Sequence, residues 1–242
     1  MPHTFVPPGN ICGNHFFLSP EESRHLAVVL RKIPGEEVRL FDGENRSYRA
    51  RLESISPDRV EGAILEELKA SRLPYRLRLF QGMPKGDKLE WILEKGTELG
   101  VAEFIPVVTE RSVVRVPSDR IPKKLDRWRK IVLAAAGQCG RSDLPEVRAP
   151  LPFAEALALC GPSDLTVLPW EGEEATSLKA ALSGKKGGTV LNLFIGPEGG
   201  FSVGEVEEAR GRGAVTATMG PLILRTETAG IAAAAAVLYE MG

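Results

Sequence analysis

The sequence predicts an α/β fold in which a mostly parallel sheet, flanked by helices, follows a small β-rich domain. From about residue 73 onward, short apolar runs that are typical of buried strands alternate with helical patterns, which indicates a parallel sheet. In the last part of the chain the same succession of elements occurs twice: an apolar strand, a glycine-containing loop and a helix. We therefore divide the chain into residues 1–72 and residues 73–242.

Residues 1–72 combine one short helix with strands. Ser19-Pro20-Glu21-Glu22 predicts a helix start, because serine can cap the helix, proline suits its first position and a glutamate stands three residues after the cap. Asp42-Gly43-Glu44-Asn45 is a hairpin signal between two strand patterns. The predicted strands are Val38 to Phe41, Ser47 to Ile55 and Arg59 to Leu65.

The strand Ser47 to Ile55 alternates between apolar and polar side chains. Its apolar residues between Tyr48 and Leu52 would face the core, so Arg49 and Arg51 would share the opposite face. The alternative to a functional role is an ordinary solvated face, which the residues alone favour. If the face does bind phosphate, further basic residues could contribute to it: Arg24, Arg31, Lys32 and Arg46.

The rest of the chain follows a predicted linker, Leu68 to Pro74. The predicted strands are Tyr75 to Phe80, Phe104 to Thr109, Leu165 to Pro169, Thr189 to Ile195 and Ala214 to Met219. Three helices are predicted by their ranges: Pro122 to Ala136, Phe153 to Cys160 and Ser177 to Leu182. An earlier helix carries Leu89, Ile92 and Leu99 on one face. Near the chain end, the capping box Ser202 to Glu205 begins one helix, and an alanine-rich helix ends near Glu240.

Two loops near the chain end are the predicted binding site. Gly196 to Gly200 and the segment after Gly220 follow two parallel strands that we expect to be neighbours, and open α/β sheets bind ligands at such carboxyl ends. Glycines before a helix usually indicate phosphate. Here Glu198 stands in the loop and no Lys or Arg occurs from Gly196 to Glu208, so a neutral or positive ligand is favoured. A tight turn with Glu198 pointing to water is an equal alternative.

Composition sets further limits. The net charge of −1 gives no global attraction to nucleic acid, so such binding must use a local patch. The segment Glu110 to Arg148 provides one, with ten basic and five acidic residues, although a solvated helix face is the common explanation. Within it the loop residues Arg111 and Arg141 are the preferred phosphate or base contacts.

The cysteines and the apolar runs indicate where the protein works. Three widely spaced cysteines offer no disulfide framework and no metal-ligand spacing, which suits a reducing compartment, and no metal site is predicted. No signal peptide is recognised, and no apolar run reaches the ~18 residues of a membrane span. A cytoplasmic protein that does not enter a membrane is expected.

Four motifs make the interpretation specific. IGPEGGFS (Ile195 to Ser202), LILRTETA (Leu222 to Ala229), PKGDKLEWILEKGTELGV (Pro84 to Val101) and AAAGQCGR (Ala134 to Arg141) occur in an order that resembles the ribosomal RNA small subunit methyltransferase E family of the SPOUT superfamily. The resemblance implies a C-terminal trefoil knot, a PUA-like N-terminal RNA-binding barrel and a homodimer. The family usually has glutamate where this chain has Gly137.

The resemblance also implies a reaction and its residues. The cofactor would be S-adenosylmethionine, and the acceptor N3 of a uridine in 16S rRNA, met either as rRNA or in the assembled small subunit. Arg225 would stabilise the uridine anion, and Glu198 or Glu227 would take the proton or favour the sulfonium; as an alternative, Glu227 only complements the helix dipole. The residues implied for the cofactor are Leu168, Pro169, Trp170, Ile195, Gly196, Pro197, Glu198, Gly199, Gly200, Met219, Gly220, Leu222, Ile223 and Leu224. Those for RNA are Arg24, Arg31, Arg49, Arg51, Lys85, Arg111 and Arg141.

Two other functions stay open at this point. One is a non-catalytic RNA-binding or ribosome-assembly factor on the same fold. The other is a nucleotide-dependent enzyme, which the carboxylate of Glu198 in the glycine-rich loop disfavours.

Overall fold

A computed structural model describes residues 3–69, 73–184 and 188–242 of the chain. The chain forms two compact units, Met1–Arg72 with Leu133–Leu144, and Leu73–Val132 with Pro145–Gly242. The predicted division at residue 72 did not include the later segment in the first unit. Part of the predicted linker Leu68 to Pro74 lies outside the described residues.

The secondary structure contains every predicted strand and helix; Ser47–Ile55 and Leu165–Pro169 have the predicted ends, and the other elements have shifted ends. The strands are β1 (His3–Phe5), β2 (Ile11–Cys12), β3 (His15–Phe17), β4 (Glu37–Phe41), β5 (Ser47–Ile55), β6 (Val60–Leu68), β7 (Arg76–Gly82), β8 (Val101–Val108), β9 (Glu146–Val147), β10 (Leu151–Pro152), β11 (Leu165–Pro169), β12 (Val190–Ile195) and β13 (Val215–Ala217). The helices are α1 (Pro20–Arg24), α2 (Lys88–Glu98), α3 (Ile121–Cys139), α4 (Phe153–Ala158), α5 (Leu178–Leu182), α6 (Val203–Gly211) and α7 (Thr226–Met241). The sequence did not predict β1, β2, β3, β9 and β10.

The first unit contains a six-stranded sheet in the order β1-β4-β5-β6-β3-β2. Only the pairing of β1 with β4 is parallel among its described strands. Tyr48, Ala50 and Leu52 of β5 are buried in its core, which confirms the predicted alternation. Ser19 caps α1 by accepting a hydrogen bond from the backbone N–H of Glu22 at 3.3 Å.

The second unit contains a parallel sheet in the order β10-β8-β7-β12-β11-β13, with β9 also paired to β8. Every described pairing in it is parallel. The prediction that the two site loops follow neighbouring strands is wrong, because β11 lies between β12 and β13. The carboxyl ends of three strands therefore meet at the site. The lateral order of parallel strands is set by long-range packing, which an apolar run does not reveal.

The sheet is buried on both faces. Leu191, Leu193 and Ile195 of β12 join one apolar core, and Phe194 joins the other. This explains why the strand is a continuous apolar run instead of an alternating one. The helix α7 covers part of the first core with small side chains such as Ala233 and Ala234. The trefoil knot implied by the resemblance stays a prediction, and no described helix could cross a membrane.

A buried network of ion pairs lies toward the amino-terminal ends of the strands of this sheet. The carboxylate of Glu103 is 3% exposed and accepts a hydrogen bond from Arg78 Nε at 2.9 Å and one from Arg148 Nε. Arg78 also donates to Asn192 Oδ1 at 3.2 Å and to the carbonyl of Leu159 at 3.1 Å. Burial raises the pKa of Glu103, but Arg78 and Arg148 outweigh it, so that this pKa is lower than usual.

Glu103→Gln is expected to reduce the free energy of unfolding by roughly 3 kcal/mol, because it leaves buried arginine charge without its carboxylate. Since the pKa of Glu103 is lowered from 4.5, its contribution is complete above pH 4.5 and is lost as the pH falls through the folded-state value. Denaturant unfolding across this range tests both points. The control is Glu208→Gln, which removes an exposed pair with Arg212. Equal losses for the two variants would contradict the prediction.

Candidate functional site

A cavity of about 970 Å³ opens at the carboxyl ends of β12, β11 and β13, all within the second unit. This volume lies in the upper range of small-ligand pockets. Most residues implied for the cofactor line it: Pro169, Trp170, Ile195, Gly196, Pro197, Glu198, Gly200, Met219, Gly220, Leu222, Ile223 and Leu224. Leu168, fully buried below, and Gly199 are not among its lining residues. Pro221, within the predicted segment after Gly220, also lines it, and so do residues that were not predicted: Lys88, Glu171, Glu173, Glu174, Phe201, Thr218, Thr226 and Ala229.

The glycine loop, Gly196–Gly200, needs its glycines for close backbone approach. Gly200 has φ +68°, which favours glycine. A Cβ atom at Gly196 would lie 3.1 Å from Gly200 Cα, so the loop is folded back on itself. Below it, a Cβ atom at Gly82 at the end of β7 would lie 2.5 Å from the nitrogen of Pro197. Neither position has room for a side chain without moving the loop.

The helix α6 begins with the predicted capping box. Ser202 Oγ accepts a hydrogen bond from the backbone N–H of Glu205, and the Glu205 carboxylate accepts one from the backbone N–H of Ser202 at 2.9 Å. Glu205 also accepts a hydrogen bond from the backbone N–H of Glu110 at 2.9 Å. The neighbouring Arg111 donates from Nη1 to the carbonyl of Gly199 at 3.0 Å. The loop after β8 is thus held against the glycine loop.

Glu198 has a cationic partner that sequence spacing did not reveal. Lys88 Nζ lies 3.0 Å from Glu198 Oε1 and 3.2 Å from Glu227 Oε2. The backbone N–H of Lys85 donates to Glu198 Oε1 at 3.0 Å. The alternative that Glu198 points only to water is therefore wrong, and so is the inference that it lacks a counter-charge. The counter-charge stands 110 positions earlier in the chain, on α2.

This pairing fixes the protonation of the carboxylate. Burial raises the pKa of Glu198, but the hydrogen bonds from the Lys85 backbone N–H and the Lys88 ammonium group outweigh it, so that its pKa is lower than usual. Hydrogen bonds to Glu198 and then Glu227 raise the pKa of Lys88. Near neutral pH Glu198 is therefore ionised and paired with the Lys88 ammonium group, which also lies 3.2 Å from Glu227 Oε2.

Arg225 lies where the sequence placed it, at the junction of the second loop and the last helix. It is the N-cap of α7 with extended backbone, and its carbonyl accepts the hydrogen bond from Ala229 N–H at 2.8 Å. Its side chain is exposed and lines the cavity. Leu222 and Ile223, which precede it, are 76% and 85% exposed. The guanidinium group has no ion-pair partner among the described residues.

An acidic wall, Glu171, Glu173 and Glu174, follows β11 and was not predicted. The carboxylate of Glu173 accepts hydrogen bonds from the Thr216 hydroxyl at 2.5 Å and from the backbone N–H groups of Ala175 and Thr176. These bonds, with Arg210 nearby, lower the pKa of Glu173 to about 2. Glu173 is therefore negatively charged at neutral pH. The sequence signal was three acidic residues among the four from Glu171 to Glu174, one residue after the end of a buried strand.

The predicted RNA-binding residues of the first unit differ in availability. Arg24 and Arg31 are exposed. Arg49 donates to Glu66 at 2.8 Å and to Glu37 at 3.1 Å, and Arg51 lies 3.7 Å from Glu37. Exposed pairs of this kind are worth little and can be exchanged for phosphate. Arg141 is mostly buried and contacts Asp143 through two nitrogens, at 3.0 and 2.5 Å.

The other two predicted RNA-binding residues, Lys85 and Arg111, belong to the second unit. Lys85 is exposed beside the glycine loop, and the guanidinium group of Arg111 bonds to the carbonyl of Gly199. Arg148, counted in the basic segment, belongs to the Glu103 network and does not extend that patch. Within the described parts of the chain, no group of three or more His, Cys, Asp or Glu side chains could hold a metal ion.

Gly137 has a structural explanation. A Cβ atom there would lie 3.0 Å from the carbonyl oxygen of His3, which belongs to β1 of the same unit. A larger residue would require β1 to shift. In this chain the position that usually carries glutamate in the resembling family therefore packs against backbone.

Sequence comparison identifies two regions of this chain. A family described as the RNA methyltransferase domain matches residues 71–238, and one described as the RNA methyltransferase PUA domain matches residues 18–65. Ribosomal RNA small subunit methyltransferase E of Bacillus subtilis (strain 168) is 36% identical over 230 residues, covering 93% of this chain and 90% of the relative. Its namesake in Synechocystis sp. is 33% identical, covering 93% and 73%.

Structure comparison agrees. The crystal structure of ribosomal RNA small subunit methyltransferase E from Neisseria gonorrhoeae, bound to S-adenosyl methionine, superimposes with a TM-score of 0.89 at 33% identity, covering 99% of this chain and 97% of the other. The fold is thus a mixed α/β fold with a PUA-like N-terminal domain. From these matches, the chain belongs to the ribosomal RNA small subunit methyltransferase E family of RNA methyltransferases.

Proposed function

We propose that this protein transfers a methyl group from S-adenosylmethionine to N3 of a uridine in 16S rRNA. The observation that carries the proposal is the cavity at the carboxyl ends of three parallel strands, with a guanidinium group at its edge, Arg225, that has no ion-pair partner in the part of the chain that the structure describes. The similarity to the Neisseria enzyme, which binds this cofactor, supports it.

The residues present fit this cofactor. Backbone groups of three loops, which include Pro169, the glycine loop and Met219, would hold the nucleoside and methionine parts. The acidic wall and Glu198 make the cavity negative, which suits a ligand with a sulfonium and an ammonium group and disfavours a polyphosphate. When bound, S-adenosylmethionine supplies an activated methyl group on positively charged sulfur.

Arg225 would make the acceptor nitrogen easier to deprotonate. Uridine N3 carries a proton at neutral pH and is a poor nucleophile until that proton leaves. Negative charge then develops on the base, and a cation at the cavity edge stabilises it. Arg225 suits this role because its guanidinium group forms no ion pair with any carboxylate that the structure describes.

The two glutamates near Lys88 fit an electrostatic role better than a role as the base. A carboxylate with a pKa below its usual value accepts a proton weakly, and Glu198 is such a group. Glu198 and Glu227 both lie within ion-pair distance of the single ammonium group of Lys88. The carboxylate of Glu198 would favour the sulfonium, and the uridine proton would pass to solvent.

The first unit would contribute RNA binding. Arg24 and Arg31 are its most accessible predicted contacts, whereas Arg49 and Arg51 would exchange a carboxylate for phosphate. Arg141 is the weakest candidate because Asp143 already occupies it. We propose rRNA or the assembled small subunit as the partner, a homodimer as the working form and the cytoplasm as the location.

Arg225→Ala is expected to slow methyl transfer by at least about 100-fold, because it removes the cation facing the developing anion. The affinity for S-adenosylmethionine should change little, since backbone groups hold the cofactor. Single-turnover assays on 16S rRNA from a strain lacking the protein, with calorimetry of cofactor binding, test this. Arg212→Ala is the control, since Arg212 is exposed and outside the cavity lining. An active Arg225→Ala variant would refute the assigned role.

The methylated atom can be tested directly. A methyl group on uridine N3 blocks the pairing edge of the base, so reverse transcription should stop next to one uridine only after treatment with the parent protein. Absence of cofactor binding would favour a non-catalytic RNA-binding factor, and tight ATP binding would favour a nucleotide-dependent enzyme. A methyl group on ribose or on another base would contradict the proposed acceptor.

Glu198→Gln is expected to weaken S-adenosylmethionine binding by about tenfold, since it removes a negative charge near a cationic ligand. The rate at saturating cofactor should fall far less, and should still rise with pH as uridine N3 ionises. Glu207→Gln, which alters an exposed acid outside the cavity lining, is the control. A loss of about 100-fold in rate with unchanged affinity would instead identify Glu198 as the base.

A further inference from the structure

We propose that Thr226 and Gln81 are positioning residues that lock the glycine loop to the start of α7 and thereby fix Arg225 relative to the cavity. The inference rests on the proposed function, because it assigns roles at the same site. Neither side chain was singled out by the sequence.

The lock is a chain of two hydrogen bonds across three elements. Gln81, the penultimate residue of β7, donates from Nε2 to Thr226 Oγ1 at 2.8 Å. Thr226, the first residue of α7, donates from Oγ1 to the carbonyl oxygen of Gly196 at 2.6 Å. The central sheet, the last helix and the glycine loop are thus connected directly behind the cavity.

The direction of the chain is fixed by the chemistry of its groups. A hydroxyl has one proton, and the Gly196 carbonyl can only accept, so Thr226 must accept from the amide of Gln81. The second proton of that amide is donated to the carbonyl of Gly82 at 3.1 Å. Polarised in one direction, the two bonds strengthen each other.

The lock is buried, which makes it specific. Gln81 is 1% exposed and Thr226 is 4% exposed, so water does not readily replace either partner. The helix α7 approaches Gln81 closely at Gly230, where a Cβ atom would lie 2.9 Å from the Gln81 Oε1 atom. The Lys88 cluster also connects the loop to α7, but it is partly exposed and salt can screen it.

The position of Arg225 follows from the lock. Arg225 precedes Thr226 directly, and both line the cavity with Gly196. A hydroxyl that holds the Gly196 carbonyl therefore sets the spacing between the cofactor loop and the backbone of Arg225, from which the guanidinium group extends. A displacement of about 1 Å between reacting groups can cost a factor of about 100 in rate.

Thr226→Val keeps the shape of the side chain and removes the hydroxyl, whereas Thr226→Ser keeps the hydroxyl. Thr226→Val should slow single-turnover methylation of 16S rRNA at saturating S-adenosylmethionine by at least about tenfold, and Thr226→Ser should stay within about threefold of the parent. Hydrogen exchange of residues 196–201 should be faster in Thr226→Val.

Thr97→Val is the matched control. Thr97 is equally buried and its hydroxyl donates to the carbonyl of Leu93 at 2.7 Å, but it lies within α2 and not at the cavity. This variant should lose comparable thermal stability and keep the parent rate and the parent exchange in the glycine loop. If Thr226→Val does not fold, Gln81→Met, an unbranched substitution without a donor, takes its place with the same expected direction.

The outcomes separate the lock from the proposed function. If the parent protein transfers no methyl group, the proposed function fails, while the exchange comparison still decides the lock. If the parent is active and Thr226→Val or Gln81→Met matches Thr97→Val in rate and exchange, the lock is refuted. A slow Thr226→Ser variant would also refute it, because the hydroxyl is retained.

Discussion

At the end of β7 the backbone approaches the glycine loop so closely that no side chain fits between them. Gly82 leaves room for Pro197, and Gly196 leaves room for Gly200. Because of this contact, the loop cannot move any closer to the end of β7. The loop lines the cavity, accepts a hydrogen bond from Thr226 at the start of α7 and pairs with Lys88 through Glu198. The glycines therefore serve packing as much as ligand access.

Charged side chains differ between the two ends of the strands in the parallel sheet. Toward the amino-terminal ends of the strands they form a mostly buried network of ion pairs, with Glu103 between Arg78 and Arg148. At the carboxyl ends of the strands the charged side chains line an open cavity, and several of them, including Glu171 and Glu174, face solvent. This difference is expected of a parallel sheet, which binds ligands at the carboxyl ends of its strands.

Local signals made much of the fold predictable. The strand β5, the capping box of α6 and the apolar run of β12 each depend on a few neighbouring residues. Features set by distant contacts were not predictable: β11 between β12 and β13, Lys88 as the partner of Glu198, and the grouping of Leu133–Leu144 with the first unit. Strands of two or three residues, such as β9, are too short to show a period.

The distribution of partners explains why one cation at the site differs from the rest. Lys88 lies between two carboxylates, Arg111 bonds to the carbonyl of Gly199, and Arg210 pairs with Glu173. An ammonium or guanidinium group used in this way must lose a partner before it can stabilise a new anion, and that loss opposes catalysis. Arg225 has no such partner among the described residues, while its backbone is held by α7. Such a cation loses no partner when charge develops beside it, which favours electrostatic stabilisation of the anion.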